Sequence, residues 1–314
     1  MNPLTQAVHD YLDLRRALGF KLQEAGRALL NFAAFMEQQN APYITQALAL
    51  AWAQQAADIQ PATRALRLGI VRGFARYRSA TDPRTEVPAT GVLSCRPTRP
   101  QPYLYSDDEI RRLLEAALRM RYRHERDALH PFTYYCLFGL LSVSGMRLSE
   151  ARNLKLQDVD LAADVLTIRG SKFGKSRLLP LHASTCKVLA DYLRRRARHW
   201  AGREVSSYVF VSNRGNRLDS AEIHRTFYRL SRQIGLRGES DRQGPRLHDM
   251  RHVFATRTLV DWFQSGQDPA CRLPILSAYL GHAHVADTQW YLSASPELMR
   301  ASMRRVEQLW ESRS

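Results

Sequence analysis

Several short stretches of this chain carry side chains suited to phosphate chemistry. Arg147 follows Ser144-Gly145-Met146 and precedes a helix-like run. Free backbone N–H groups and a positive helix end there would favour a phosphate oxygen. Glu150, one helical turn on, is placed to orient that guanidinium, although an arginine that merely bridges two helices would look the same. Lys172 and Lys175 fall in the turn 170–175 between two strand-like runs. An ammonium there can hand a proton to a leaving oxygen, which a guanidinium hardly can; lysines kept for solubility are the plainer alternative. His248 and Arg251 are three apart, so one helical face presents both. His248 and His252 have the spacing of a zinc pair, but no acid sits between them and no third ligand is evident, so no metal is expected. His282 follows Gly281, and Tyr291 comes nine positions later. Such a tyrosine is ordinarily a core or surface aromatic. As a nucleophile it has a particular use, because a phenol of pKa ~10 is a reasonable leaving group and its phosphodiester can be reversed without ATP.

The bulk composition points to a polyanionic partner. Lys and Arg number 46 against 30 Asp and Glu, a formal charge of +16, and the pI is about 10.2. Nucleic acid is favoured over other partners on that ground. Lysine occurs only at positions 21, 155, 172, 175 and 187, so two of the chain's few lysines share one turn in an arginine-dominated sequence. Hydrophobic residues at 45% and aromatics at 9% describe a globular protein. Cys95, Cys136, Cys186 and Cys271 are scattered without a CxxC pair, which argues against a disulfide framework or a zinc site. No apolar run approaches the roughly 20 residues that span a bilayer, and the first residues do not read as a signal peptide. A cytoplasmic protein without membrane contact or cofactor is expected.

The elements that must position these groups are mainly helical. Residues 3–79 read as amphipathic helices, with Gly19 and Asn40-Ala-Pro42 as stops and Pro61 opening the last. That last helix carries Arg64, Arg67, Arg72, Arg76 and Arg78, a solvated face or a set of phosphate contacts. Prolines 83, 88, 97, 100 and 102 interleaved with arginines describe an extended, flexible basic linker over 83–103. Structure resumes with the capping-box pattern Ser106-Asp-Asp-Glu109. Two domains follow, 1–82 and 104–314, able to close around a duplex from two sides. Residues 164–169 and 176–181 predict a small antiparallel hairpin.

Each segment alone is weak. In this order, Arg147, a hairpin Lys172, His248-x-x-Arg251, Gly281-His282 and Tyr291 together resemble the tyrosine recombinase (phage integrase) family over 104–294, and the simpler Xer- or integron-like layout in particular. The resemblance implies an integrase-like fold: a helical core-DNA-binding domain, then an α-rich catalytic domain with a small antiparallel sheet. It implies that Arg147, Arg251 and His282 hold the scissile phosphate of double-stranded DNA. Lys172 would be the general acid to the 5′ oxygen, His248 would assist as acid or base, and Tyr291 would attack and retain the 3′ phosphate. Arg64, Arg67, Arg72, Arg76 and Lys175 would be further DNA contacts. No clustered carboxylates are available for a two-metal mechanism. After Tyr291, Met299, Met303, Val306 and Trp310 form an apolar stripe. It would pack on its own domain or, as the resemblance implies, dock on a neighbouring subunit of a homo-oligomer, a tetramer on DNA. A non-catalytic DNA-binding relative and a topoisomerase IB-like enzyme are the rival readings. Gln264–Ala270, which reads as an insertion, and Trp290 beside the tyrosine are the departures expected to alter how Tyr291 is presented.

Overall fold

The computed structural model describes residues 3–55, 59–93, 95, 101–122, 124–170, 174, 176–241, 244–294, 299–300, 303–304, 307 and 310. The chain divides into two compact units, Met1–Pro100 and Gln101–Ser314.

The first unit is built of α1 (Pro3–Ala17), α2 (Gln23–Gln38), α3 (Gln46–Gln54) and α4 (Pro61–Ser79). Their apolar faces meet around Phe32, Trp52 and Phe74, none of them more than 1% exposed. Thr45 caps α3 by accepting from Leu48 N, and Trp52 Nε1 donates to Asn31. Gly19, at φ 88°, turns the chain after α1, a conformation glycine adopts freely.

The segment 83–103, read above as an extended, flexible basic linker, is anchored to the first unit in its first part. Glu86 N donates to Ile44 O, and Glu86 Oε2 accepts from Gln46 N. Ala89 N donates to Gln46 Oε1, and Arg72 reaches Pro88 O and Ala89 O at 2.7 and 2.8 Å. The physical reason is that proline-rich backbone still offers carbonyls, and a guanidinium satisfies two of them at once. Residues 96–100 lie outside the described residues.

The second unit begins with α5 (Asp107–Leu118), closed by a reciprocal capping box between Ser106 and Glu109. Helix α6 (His130–Ser144) is buried nearly all round and forms the axis of the core. It ends at Gly145, left-handed at φ 58°, and α7 (Leu148–Asn153) follows. Strands β1 (Val159–Asp160), β2 (Val165–Ile168) and β3 (Arg177–Pro180) pair antiparallel in that order. The hairpin predicted from the sequence is β2–β3, with Leu166 opposite Leu179 and both buried; β1 is an addition. Helices α8 (Ala183–His199) and α9 (Ser220–Gln233) complete the main core.

Three further helices, α10 (Asp249–Gln264), α11 (Pro269–Leu280) and α12 (Ala286–Ala294), enclose a smaller core of Leu259, Leu273, Leu276, Leu280 and Tyr291. The stretch Gln264–Ala270 is an ordinary helix–turn–helix joint. Gly266 makes the turn at φ 75°, and Asp268 caps α11 by accepting from Ala270 N.

Gly145 locks these layers together. A Cβ there would stand 2.5 Å from Phe254 Cδ1 and 3.1 Å from Leu280 Cδ2, at a backbone angle that L side chains rarely adopt. Gly145→Ala is expected to destabilise the second unit by roughly 2–4 kcal/mol, from strain and overpacking together. Denaturant unfolding followed by tryptophan fluorescence should show the lower midpoint; an unchanged midpoint would mean that the α6–α7 corner relaxes freely.

Candidate active site

The corner after α6, the C-terminus of α11 and the start of α10 converge, and each contributes a cation or a carbonyl. Arg251, in the first turn of α10, is 2% exposed. It donates from Nη1 to Gly145 O and from Nη2 to Leu280 O, both at 2.7 Å. Burial and then the Arg147 charge press its pKa down to about 10, still leaving a cation at neutral pH.

Arg147 donates to Gly281 O at 3.0 Å and to Glu150 Oε1 at 2.9 Å. The Glu150 carboxylate also accepts from the Arg147 backbone N–H, so it holds both ends of that residue. Glu150 has a second partner that sequence reasoning missed. Arg177, at the start of β3, grips it with two parallel bonds of 3.0 and 2.8 Å and donates from Nε to Tyr279 O. Burial alone would raise the Glu150 pKa, but the Arg177 and Arg147 hydrogen bonds and charges hold it below the ordinary carboxylate value. Gly281 fits under this lattice because a Cβ there would come within 2.7 Å of Arg177 Nη1.

His282, next after Gly281, hydrogen-bonds through Nδ1 to Thr288 Oγ1 at 2.7 Å, leaving Nε2 for another partner. Thr288 is fully buried and was also unforeseen. Burial, then the Arg251 and Arg147 charges, lower the His282 pKa to about 4. Its imidazole is therefore neutral at physiological pH and acts as a hydrogen-bonding group.

Tyr291 lies one helical turn before the end of α12 and is 2% exposed. Its ring stacks with His282 at 6.1 Å between centroids and packs on His252 and Trp290 at 5.4 and 5.6 Å. It lies close enough to Arg251 for the two charges to act on each other when the phenol ionises. His252, weighed above as a zinc partner, is an element of this aromatic packing. It touches His248 and Trp290 as well, and burial pushes its pKa to about 4. Among the described residues no group of three or more His, Cys, Asp or Glu side chains is placed to hold a metal ion.

The structure thus brings Arg147, Arg251, His282 and Tyr291 together, and His248 lines the same cavity as the two arginines. Lys172 and Lys175 lie outside the described residues, between the ends of β2 and β3. In the first unit, Arg67 stacks on Trp52 at 4.1 Å and Arg72 clamps the 88–89 backbone, so both already have structural work. Arg64 is half-buried and Arg76 is exposed.

This arrangement offers two guanidinium groups, a neutral imidazole and a phenol around one point, which suits a phosphodiester. The family model described as phage integrase matches residues 104–297. The chain belongs to the phage integrase family. It is 64% identical, over the whole length of both chains, to y4rB of Sinorhizobium fredii, which carries an integrase/recombinase name. It is 32% identical to the tyrosine recombinase XerD of Caulobacter vibrioides, over 77% of this chain and 74% of that protein. In fold it matches the Tn1549 transposon integrase, solved in complex with transposon right end DNA. There the TM-score is 0.67 with 16% identity, covering 97% of this chain and 99% of that one. As a phage integrase family member, the chain is a tyrosine-type DNA recombinase with the mainly helical integrase fold and its small antiparallel sheet. No helix among the described residues is long and apolar enough to cross a membrane.

Proposed function

We propose that this chain cuts and rejoins double-stranded DNA at a specific site through a covalent bond between Tyr291 and a 3′ phosphate, requiring neither metal nor ATP. The observation that carries this reading is the meeting of Arg147, Arg251 and His282 beside the Tyr291 ring.

In the cleavage step Tyr291 gives up its phenolic proton, for which the resemblance offers His248 as the base, its Oη attacks phosphorus, and the bond from phosphorus to the 5′ oxygen breaks. The departing oxygen takes a proton, which the resemblance assigns to Lys172, with His248 assisting. In the rejoining step a 5′ hydroxyl returns its proton to Lys172 as its oxygen attacks the same phosphorus, and the phenolate leaves and recovers its proton from His248. Atoms and charges balance across the two steps, and the phosphodiester energy is kept in the tyrosyl ester. Fixed cations that neutralise the equatorial oxygens supply most of what phosphoryl transfer needs.

The partner is duplex DNA, read on a homo-oligomer that we take to be a tetramer. Met299, Met303 and Trp310 of the C-terminal tail are 56%, 63% and 69% exposed, as a stripe that docks on a neighbouring subunit would be. Val306, the remaining member, lies outside the described residues. In the first unit, the exposed Arg76 is the α4 arginine most available to a DNA backbone.

The test begins without a known DNA site. The protein is mixed with fragmented DNA of its own genome, denatured in SDS, recovered, and the DNA attached to it is sequenced. Attachment at the 3′ end of one recurring sequence is expected. Random recovery, or none, would remove the recombinase reading.

A further inference from the structure

A cavity of about 350 Å³ extends from the phosphate clamp to the N-terminal end of α9. Its near wall is Arg147, His248 and Arg251; its far wall includes Arg152, Ser220 and His224. No carboxylate lines it among the described residues. Two nitrogens of the far wall, Arg152 Nε and His224 Nδ1, are shielded from solvent yet have no hydrogen-bond partner among the described residues. Shielded polar nitrogens without partners are costly. Burial, then the Arg217 charge, works against the Arg152 cation, and the Asp219 carboxylate offsets only part of this. Asp219 Oδ1 accepts from Ala221 N and Glu222 N, which ties that carboxylate to the start of α9. A singly charged group with several acceptor oxygens has the chemistry to meet both far-wall nitrogens.

We propose that the far wall binds the DNA phosphate adjacent to the scissile one on the cleaved strand, with Arg152 and His224 as its donors. The inference rests on the recombinase reading and deepens it. A phosphate seated there fixes the strand on one side of the break, so the scissile phosphorus is held in line with Tyr291. Such a contact sets position and carries no base identity.

The test uses the duplex recovered by the covalent capture, nicked so that cleavage is trapped. One neighbouring phosphate, on the 5′ or the 3′ side of the scissile one, is replaced by an uncharged methylphosphonate. At one of these two positions single-turnover cleavage by the wild type should slow roughly tenfold, the worth of one charge-assisted contact. Arg152→Ala should slow cleavage of unmodified DNA by a similar factor. The pair together should slow it no more than either alone. His224→Phe, which keeps an aromatic ring in place, should show the same coupling to the same phosphate, and it serves if Arg152→Ala fails to fold. Losses that simply multiply at both positions would overturn the inference, as would an Arg152→Ala enzyme of wild-type rate, while the Tyr291 adduct persisted. If even unmodified DNA gives no adduct, the recombinase reading fails and the inference fails with it.

Discussion

Tyr291→Phe is expected to abolish the SDS-resistant adduct on a nicked suicide duplex while leaving DNA binding intact. The substitution removes one oxygen and keeps the ring that packs on His252, His282 and Trp290. The small core of α10, α11 and α12 therefore stays filled, and no cavity term enters. What is lost is the oxygen that the proposed mechanism joins to phosphorus. A fall of at least roughly 10⁴-fold in adduct formation is expected, of the order seen when a sole nucleophile is removed. Gel-shift affinity on the same duplex should change by less than about twofold, because phosphate contacts dominate binding. An adduct that persists in the Phe variant would show that a different residue is the nucleophile.

The second large effect concerns Arg251, where even a conservative change should be severe. Its guanidinium bridges Gly145 O and Leu280 O, at the ends of α6 and α11, and still presents its charge to the site. Lysine offers a point charge on a flexible stem and cannot span both carbonyls while facing a phosphate. Arg251→Lys is expected to lower single-turnover cleavage by roughly 10²–10³-fold, the usual cost of one displaced transition-state donor. The deficit should remain at saturating protein, which assigns it to the chemical step and not to affinity. Thermal unfolding should also shift downward, because a buried carbonyl loses its partner. A Lys variant within about threefold of the wild type would mean that Arg251 is chiefly a structural bridge.

Much of the site was legible because helices write their geometry into spacing. His248 and Arg251 are placed by one helical turn, and Gly281 announces the break that sets His282 apart from α11. The capping box at Ser106 likewise marks the start of α5 without help from the structure. Arg177 and Thr288 were not legible, for a common reason. The bidentate pair of Arg177 with Glu150 closes a loop of 27 positions between a strand and a helix, and no periodicity spans that distance. Thr288 matters only because α12 folds back on the Gly281 turn. Strand β1 is two residues long, too short for an alternating pattern to register. The anchored part of the linker escaped because composition records how much proline and arginine is present, whereas Arg72 acts on carbonyls sixteen and seventeen positions away. In that instance an arginine assigned to DNA was already committed to its own backbone.

The shared Glu150 carboxylate has a consequence for charge balance. Arg147 and Arg177 both draw on it, and Arg251 has no carboxylate of its own within hydrogen-bond reach among the described residues. With His252 and His282 neutral, these three guanidinium groups set against one carboxylate carry a net of two positive charges. A phosphodiester in the ground state brings one negative charge. Under the proposed mechanism, attack by a phenolate brings a second, spread over the five-coordinate phosphorus. On that reading the net positive field stabilises the doubly charged five-coordinate phosphorus more than the singly charged phosphodiester. That favours the transition state over the bound duplex. The glutamate lowers the charge offered to DNA, and what it supplies is position: one carboxylate holds the Arg147 and Arg177 guanidinium groups together.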